Sequence, residues 1–442
     1  MKIVQAVGWY YPDGLGGTEV YVAGLCRRLR DAGQDVLVAA PDPAAGAEER
    51  TYEHDGIPVY RYPIPSAPTR AEVQGTARVR GAERFHRWLA AQRPDVVHAH
   101  TFVTGLGLDE LKAAQSVGAR VVVTTHSASL GWICQRGTMM RWGEQLCDGL
   151  CRTAKCAACA LQARGLPKPL AGALAAIPPP LARGARGFPG RLATALAMPD
   201  LIERNQAAQR EMLSTVDRFV LLTEWALGAA AANGAPRDKL ALNRLGLSQG
   251  KVVAKPGPDE RPTGRPITIG YLGRFEAIKG VHDLARATAS LPRDVAVHVE
   301  FRGPARTEAE RSVLGELRVL AAKDPRITFA DAVPEADALQ VLAGYDALCC
   351  PSVCLEGGPT VAIEAHAVGT PVIGTRIGGL AELVTDGLNG GLVAPGDWCA
   401  LAGVLAALAA DPAGTIDRWR RNLPPARTMD QIAADYLAVY AA

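Results

Sequence analysis

The sequence has almost no net charge and no long hydrophobic run. Its 48 Lys and Arg residues nearly balance its 45 Asp and Glu residues, so the formal charge is only +3. A charge this small does not favour a nucleic-acid partner. No stretch approaches the roughly 18 uninterrupted apolar residues of a membrane span, and the short apolar run after Met1 predicts a strand rather than a signal peptide. We therefore expect a cytoplasmic protein.

A dinucleotide fingerprint is absent as well. The first glycine-rich turn, Gly14-Leu-Gly-Gly-Thr-Glu, lacks the Gly-x-Gly-x-x-Gly spacing, so a nicotinamide cofactor is not expected. What the chain does have is size and apolar content, with 442 residues of which 48% are hydrophobic. Such a chain should form roughly two to three domains, each with its own core.

The most informative stretch is Cys354–Val372. The apolar run before it, Ala347–Cys350, predicts a buried strand. Gly357 and Gly358 predict a turn, and Pro359 is well placed as the first residue of a helix. A strand, a turn and a helix start together direct free backbone N–H groups and the positive end of a helix dipole at one point, which suits a phosphate.

Two carboxylates flank this turn. Glu356 precedes it, and Glu364 lies within the predicted helix. From these residues alone, an ordinary turn with two solvated acids would be an adequate explanation. The next segment repeats the pattern, because the short strand Thr370–Gly374 leads to a glycine-initiated helix at Ile377. Two such units present their helix N-termini on the same side of a parallel sheet.

At this point the sequence resembles a known family. The spacing of Glu356 and Glu364 resembles the Glu-x7-Glu motif of the retaining GT-B glycosyltransferases of family 4, and the segment from Gly378 to Glu382 resembles their second donor loop. The resemblance implies an α/β protein with the GT-B fold, in which two Rossmann-like domains face each other across a cleft. It also implies that Glu364 binds the donor's ribose and that the donor's phosphates are held by Gly357, Gly358, Pro359 and Thr360. No Asp-x-Asp motif is present, which argues against the metal-dependent alternative glycosyltransferase fold.

A pair of cations follows the predicted strand Ile267–Leu272. Arg274 comes at the end of the strand, and Lys279 comes just before the next helix. The two can converge on one anion and supply, without a metal, the positive charge that a departing diphosphate needs. The segment resembles the family's Gly-Arg-(x)-Lys-Gly element, which implies that Arg274 and Lys279 clamp the diphosphate. Further on, Phe301-Arg-Gly-Pro resembles the family's strand-end glycine, and Asp331-Ala-Val-Pro resembles its nucleobase loop.

The first half of the chain places a glycine pair and three histidines after predicted strands. Gly16 and Gly17 follow the first strand, and His98, His100 and His126 come at two later strand ends. A histidine at a strand end is often structural, and this alternative stays open for His98 and His100. The resemblance implies that Gly16 and Gly17 approach the donor's phosphates and that His126, as a neutral imidazole, lies beside the transferred sugar.

Half of the ten cysteines lie between Cys134 and Cys159. The cluster ends in Cys156-Ala-Ala-Cys159, a spacing that structural zinc sites use. A similar insertion in some bacterial family members implies that Cys151 is spare and that the zinc ligands are Cys134, Cys147, Cys156 and Cys159. A group of small buried thiols is the alternative.

The stretch Ala160–Asp200 is rich in Ala, Pro and Leu, with scattered Arg and Lys residues. Its Ile177-Pro-Pro-Pro sequence interrupts any long helix. A basic, apolar, turn-broken stretch could lie on an anionic membrane surface. An acceptor-side insertion filled by a coding bias is the alternative, and we favour it slightly.

We expect two domains. The N-terminal, acceptor-side domain covers residues 1–250, with the Cys-rich insertion at about 130–200, and is completed by a C-terminal helix at 428–442. The nucleotide-sugar-binding domain covers residues 251–427, after the turn-rich linker Lys255–Pro266. Within the first domain, Ala77–Arg93 predicts a helix that ends before Pro94.

The sequence thus predicts a retaining glycosyltransferase that uses a UDP- or GDP-type nucleotide sugar. The acceptor would be a glycan, a lipid-linked glycan or a small molecule, with peripheral contact at the inner face of the membrane. The expected catalytic residues are Glu356, Arg274, Lys279 and His126. No cofactor is required for this chemistry, and the zinc would be structural. A non-catalytic nucleotide-sugar-binding or scaffold protein, and a GT-B epimerase or phosphorylase, are the alternatives.

Overall fold

The computed structural model describes residues 1–13, 16–44, 46–247 and 264–442. Within them the chain forms two compact units. The first comprises Met1–Trp142, Cys147–Arg244 and Thr428–Ala442, and the second comprises Gly143–Leu146 and Leu245–Arg427. Most of the predicted linker and the predicted boundary after residue 250 lie outside the described residues.

The first unit is built on an eight-stranded sheet in the order β10-β9-β6-β5-β1-β2-β4-β3. Every neighbouring pair of strands is parallel except β3 with β4. The strands of this half of the chain, with two short ones outside the sheet, are β1 (Lys2–Val7), β2 (Asp35–Asp42), β3 (Arg50–His54), β4 (Ile57–Pro63), β5 (Val96–His100), β6 (Arg120–Thr124), β7 (Met140–Arg141), β8 (Gln145–Leu146), β9 (Arg218–Leu221) and β10 (Leu240–Leu242).

Helices follow most of these strands, as the sequence pattern predicts for a parallel sheet. Since both faces of such a sheet are covered, its central strands are buried nearly throughout, as β5 is. The helices of the first unit before the second begins are α1 (Gly17–Asp31), α2 (Arg70–Val73), α3 (Glu83–Gln92), α4 (Leu108–Ser116), α5 (Thr153–Ala163), α6 (Lys168–Ala175), α7 (Pro179–Gly184), α8 (Arg191–Leu196), α9 (Met198–Thr215) and α10 (Glu224–Ala232).

One helix of the first unit begins later than predicted. The prediction of a helix over Ala77–Arg93 is wrong for its first six positions, because α3 begins at Glu83. Gly81 has a φ of +91°, and a Cβ there would lie 2.1 Å from the carbonyl oxygen of Pro63. The backbone before Glu83 therefore makes a turn that a helical path could not follow.

The second unit is a doubly wound, six-stranded parallel sheet in the order β13-β12-β11-β14-β15-β16. The order reverses between β11 and β14, and ligands of such sheets bind at the carboxyl ends of the strands beside that point. Its strands are β11 (Ile267–Leu272), β12 (Val297–Arg302), β13 (Ile327–Ala330), β14 (Ala347–Cys350), β15 (Val372–Thr375) and β16 (Gly390–Val393). Its helices are α11 (Val281–Ser290), α12 (Glu308–Ala321), α13 (Ala338–Gly344), α14 (Thr360–Ala367), α15 (Gly378–Leu383), α16 (Trp398–Ala410) and α17 (Pro412–Arg421).

Both faces of the second sheet are packed. Along β14, Ala347 and Cys349 belong to one buried apolar cluster, while Leu348 and Cys350 belong to another. Successive side chains of a strand point to opposite faces, so each cluster fills one face of the sheet. The last helix, α18 (Met429–Ala441), returns to the first unit.

No single helix within the described ranges has the length and hydropathy that a membrane span requires. The pair α16 and α17 meets that requirement jointly, but the two helices bend by 103° where they join.

Candidate active site

An ion pair lies at the point where the strand order of the second sheet reverses. Lys279 precedes α11, Glu356 follows β14, and Lys279 Nζ lies 2.9 Å from Glu356 Oε1. The Ser352 hydroxyl donates a hydrogen bond of 2.6 Å to the same carboxylate oxygen. Burial disfavours the charged form of Lys279, but the charge of Glu356 and its hydrogen bond outweigh that effect and raise the pKa of Lys279. Lys279 is therefore held as a cation.

Arg274, the other predicted cation, has a different partner. Its Nη1 lies 2.6 Å from Glu276 Oε1, and its side chain is 59% exposed. Its positive charge also acts on Lys279, where it opposes protonation. The structure thus pairs Lys279 with Glu356 directly and leaves Arg274 on the surface nearby.

The loop after Glu356 packs on the second predicted donor loop. The N–H of Gly379 donates a hydrogen bond of 2.8 Å to the carbonyl oxygen of Glu356. A Cβ on Gly379 would lie only 2.4 Å from the nitrogen of Gly358, so this contact requires glycine. The two glycine-rich loops therefore form one backbone surface, as two successive strand–turn–helix units should.

The helix after this loop begins one residue later than predicted. Pro359 is the N-cap of α14 rather than its first residue, because its ψ of 123° is extended. Gly357 and Gly358 precede the cap, and Thr360 is the first helical residue. The free N–H groups of the first turn, and the positive end of its dipole, still lie directly after the loop.

Glu364 lines an open pocket of about 210 Å³ in the second unit. The pocket's other walls include Gly273, Gly303, Pro304 and Val333, which follow the ends of three neighbouring strands. The two segments that resemble the family's strand-end glycine and nucleobase loop therefore meet Glu364 around one pocket. Mostly apolar walls with a single carboxylate suit a nucleoside, whose base stacks or packs and whose ribose hydroxyls donate hydrogen bonds.

In the first unit, His126 belongs to a chain of hydrogen bonds that reaches the C-terminal helix. His126 Nε2 lies 3.0 Å from Nδ1 of His100, and His100 Nε2 lies 2.7 Å from Oε1 of Gln5. The Gln5 amide nitrogen donates to the hydroxyl of Tyr440 over 3.1 Å. Since the Gln5 carbonyl only accepts, His100 carries its proton on Nε2 and His126 donates from Nε2.

The chain continues from Tyr440 to His98. The Tyr440 hydroxyl lies 2.7 Å from His98 Nδ1, and His98 Nε2 lies 2.7 Å from the hydroxyl of Thr124. Thr124 in turn contacts the hydroxyl of Tyr436 at 2.9 Å. His98 is therefore a satisfied structural histidine, which is the alternative that the sequence left open.

Burial sets the charge state of these histidines. It lowers the pKa of His126 to about 4. It also lowers the pKa values of His98 and His100 well below the usual range, and the neighbouring imidazoles add to the shift. At neutral pH His126 is an uncharged imidazole, able to accept a hydrogen bond from a hydroxyl.

The sequence analysis missed Gln5, Tyr436 and Tyr440. A signal existed for each, because Gln5 interrupts the buried apolar strand β1 and the two tyrosines stand four residues apart on one helix face. All three are fully buried. Polar groups in such positions need partners, and here Gln5 pairs with His100, Tyr440 with His98 and Tyr436 with Thr124.

Gly16 and Gly17 begin α1, with Gly16 as the N-cap. The N–H of Gly16 donates a hydrogen bond of 2.7 Å to the carboxylate of Glu19. Burial raises the pKa of Glu19, although two backbone hydrogen bonds oppose that shift. Glu19 therefore caps the start of α1 within the Gly-Gly-x-Glu pattern.

The four predicted zinc ligands line one small cavity of about 30 Å³ in the first unit. Backbone N–H groups of Trp142 and Arg152 donate to the sulfurs of Cys159 and Cys156, each over 3.4 Å. Backbone N–H groups can also donate to metal-bound sulfurs, although the hydrogen bond to Cys151 and burial raise the pKa of the free Cys156 thiol. In the described part of the chain, however, no three His, Cys, Asp or Glu side chains are arranged to hold a metal ion.

Cys151 lies beside this group. A hydrogen bond from the thiol of Cys156 lowers the pKa of Cys151 to about 7, although burial opposes the shift. All five cysteines are free thiols of intermediate exposure. The zinc site stays a prediction.

Two α/β units, one of which has a cation–carboxylate pair at the reversal of its strand order and an open pocket at its strand ends, are typical of the class of GT-B nucleotide-sugar enzymes. Two family models match this chain. Residues 16–246 match the model described as "Glycosyl transferase 4-like domain", and residues 266–411 match "Glycosyl transferases group 1". The chain belongs to the glycosyltransferase family that these models define.

Solved structures show the same fold. The Anabaena HepE protein in complex with UDP superposes with a TM-score of 0.62 at 16% identity, covering 100% of both chains. Sucrose-phosphate synthase from Thermosynechococcus elongatus superposes with a TM-score of 0.65 at 18% identity, covering 100% of this chain and 98% of the other. The GT-B fold predicted from the sequence is confirmed.

Curated relatives match shorter parts of the chain. A D-inositol 3-phosphate glycosyltransferase of Nocardia farcinica is 31% identical over 238 residues, which are 50% of each protein. A glycogen synthase of Mycobacterium tuberculosis is 35% identical over 164 residues, 36% of this chain and 38% of the relative. The matches thus span about a third to a half of the relatives' length.

Proposed function

We propose that this protein is a retaining glycosyltransferase that transfers a sugar from a nucleotide diphosphate sugar to an acceptor held by the first unit. The single observation that supports this most is the Lys279–Glu356 pair, 2.9 Å apart at the reversal point of the second sheet. A cation and a sugar-binding carboxylate in that position suit a diphosphate and the sugar attached to it.

The candidate site residues of the second unit have separate roles in this proposal. Lys279 and Arg274 stabilise the negative charge that grows on the diphosphate as the bond to the sugar breaks. Glu356 and the N–H groups of Gly357, Gly358 and Thr360 hold the sugar and the phosphates. Glu364, in its pocket, accepts hydrogen bonds from the ribose hydroxyls.

The chemistry follows from what these side chains can do. The anomeric carbon loses its bond to the diphosphate oxygen and gains a bond to the acceptor's hydroxyl oxygen on the same face. The acceptor's proton passes to the departing phosphate oxygen. The proposed step forms no covalent intermediate with the protein, and neutral His126 serves to hydrogen-bond a sugar hydroxyl.

The donor is proposed to be of the UDP or GDP type. The Anabaena HepE structure was solved with UDP, and that of a starch synthase from Arabidopsis thaliana with ADP and acarbose. The acceptor is proposed to be a glycan, a lipid-linked glycan or a small molecule, among which the inositol phosphate of the curated relatives is one candidate. The protein is proposed to act in the cytoplasm, at the inner face of the membrane.

A screen of nucleotide sugars by thermal shift, followed by a donor-hydrolysis assay, tests the proposal. A ligand that binds only the folded state raises the melting temperature. We expect one nucleotide series to stabilise the protein and its sugar to be released slowly in water and faster with an acceptor. Stabilisation without any turnover would identify a binding protein instead.

We further propose that Cys134, Cys147, Cys156 and Cys159 bind a structural zinc ion. Their shared cavity and the N–H donors to two of their sulfurs support this. The metal would organise the insertion rather than take part in the transfer.

A further inference from the structure

The insertion after the cysteine cluster has an unusual charge pattern. Between Asp148 and Asp200 there is no Asp or Glu, while seven Lys or Arg residues occur. The whole chain has a formal charge of only +3, so the rest of it is net acidic. Positive charge is therefore concentrated in this one segment.

The two acids at its ends neutralise only part of that charge. Asp200 is buried and pairs with Arg183 at 3.0 Å and Arg186 at 3.1 Å. Asp148 pairs with Lys155 and Arg152. Two further arginines of the segment, Arg164 and Arg191, are exposed.

In the same segment several large apolar side chains are exposed, whereas small ones are buried. Helices α6, α7 and α8 bury alanines, among them Ala171, Ala182 and Ala193. Four large apolar side chains of the segment are exposed, with fractions of 51% for Leu170, 72% for Leu181 and 73% for Leu192 on these helices and 66% for Phe188 between α7 and α8. Burying a leucine or phenylalanine is worth about 1.5 to 3 kcal/mol, so a fold in water alone would not favour this arrangement.

The exposed side chains are held in place by packing. Helix α6 contacts α8, and both α7 and α8 contact the turn at Ala185–Gly187. Alanines of α6 and α8 join a buried cluster with α5 and α9, and Arg70 Nη1 donates to the carbonyl oxygen of Phe188 over 2.6 Å. The segment is therefore a formed surface of short, neighbouring helices. We call residues 164–192 the basic–apolar surface.

We propose that the basic–apolar surface docks on a bilayer that contains anionic phospholipids. Leucines and a phenylalanine enter the headgroup boundary, while Arg164 and Arg191 pair with lipid phosphates, as in interfacial helices. Helices of six to eight residues are too short to cross a bilayer, so the contact is peripheral. Nucleic acid would satisfy the cations but not the four exposed apolar side chains, so the bilayer is the better partner.

This inference rests on the proposed function in one respect, because a lipid-linked acceptor would require the enzyme to bind at a membrane. Vesicle binding is measured without donor or acceptor, so the docking surface and the proposed function can be contradicted separately. A protein that binds vesicles but transfers no sugar would contradict the proposed function. An active protein that does not bind anionic vesicles would contradict the docking surface.

The experiment is vesicle co-sedimentation of the full chain. Vesicles of phosphatidylcholine alone are compared with vesicles that contain about 30% phosphatidylglycerol, at low and at high salt, because salt screens the attraction. Two variants are tested, Leu181→Ser with Leu192→Ser, and Arg164→Glu with Arg191→Glu. We expect binding to the anionic vesicles only, and at least a tenfold lower partition coefficient for each variant.

Matched controls separate the surface from general effects. Val73→Ser with Val319→Ser removes equally exposed apolar side chains elsewhere, and Arg286→Glu with Arg421→Glu reverses exposed charges of the second unit. Both controls should bind like the unmodified protein, and all variants should keep its melting temperature. The proposal would be overturned by an equal loss of vesicle binding in the controls, by no binding to anionic vesicles, or by full binding of the serine variant. Binding to an RNA homopolymer in place of vesicles would overturn it as well.

Discussion

Lys279 and Glu356 stand 77 positions apart in the chain, yet their charged atoms lie 2.9 Å apart at the carboxyl ends of neighbouring strands β11 and β14. Each is partly shielded from water, with side-chain exposures of 25% and 15%. A partly buried ion pair of this kind holds both groups in one geometry. A donor diphosphate would meet a cation that is already positioned and charged.

The first prediction concerns the two cations. Because they stabilise charge that grows as the bond breaks, Arg274→Ala and Lys279→Ala should each lower kcat by roughly a hundredfold or more. The measurement is steady-state transfer at saturating donor. Arg286→Ala, an exposed arginine of the same unit, is the control and should keep full activity. Near-normal turnover in Arg274→Ala would remove that residue from the mechanism.

The second prediction concerns Glu364. If its carboxylate holds the ribose hydroxyls equally in the ground state and in the transition state, Glu364→Gln should raise the donor KM and leave kcat nearly unchanged. Glu308→Gln changes a carboxylate that is 89% exposed on α12 and should alter neither constant. An unchanged donor KM in a folded Glu364→Gln protein would show that the pocket does not bind the ribose.

The third prediction concerns pH. The folded-state pKa of His126 is depressed to about 4, whereas an exposed histidine titrates near 6.5. Between these values the unfolded chain binds a proton that the folded chain does not, so the free energy of unfolding must fall as the pH falls. His98 and His100 shift in the same direction and should add to the loss.

Urea unfolding at several pH values between 7.5 and about 4.5 measures this effect, with a slope of about 1.4 kcal/mol per pH unit for each neutral histidine. His126→Gln should make the slope shallower by about one proton. Val319→Ser, which changes an exposed side chain without a titrating group, should leave the slope unchanged. Equal slopes in His126→Gln and the unmodified protein would contradict the neutral imidazole.

Particular residues show which parts of the structure can be predicted from the sequence. The doubly wound second unit follows from local patterns, since apolar runs such as Ala347–Cys350 and glycine turns lie next to each other in the chain. The hydrogen-bond chain of His126 does not, because Gln5 and Tyr440 are 435 positions apart and only the fold brings them together. Periodicity also missed the edge strand β3, whose exposed polar residues Arg50–His54 show no buried face.

The insertion was the least predictable part. Its Ala- and Pro-rich sequence gives no amphipathic period that would show which side is buried, and the structure resolves it into short helices with alanines inside. The choice between a membrane-facing stretch and a coding bias could not be made from composition. It depends on which apolar side chains are exposed, and exposure is a property of the packed helices.

The last prediction concerns the cysteine cluster. If Cys134, Cys147, Cys156 and Cys159 bind zinc, protein purified without added metal should contain about one zinc per chain by elemental analysis, and Cys156→Ser should lose it. Cys399→Ser, an exposed thiol of the second unit, and Cys151→Ser should both keep it. Metal binding would be part of the folding energy of the insertion, so the zinc-free variant should melt earlier. Its stabilisation by a nucleotide, which we propose binds to the second unit, should stay the same. A metal-free protein with full activity and an unchanged melting temperature would contradict the zinc site and support a group of buried thiols. Loss of zinc in Cys151→Ser would place Cys151 among the ligands in place of one of the four.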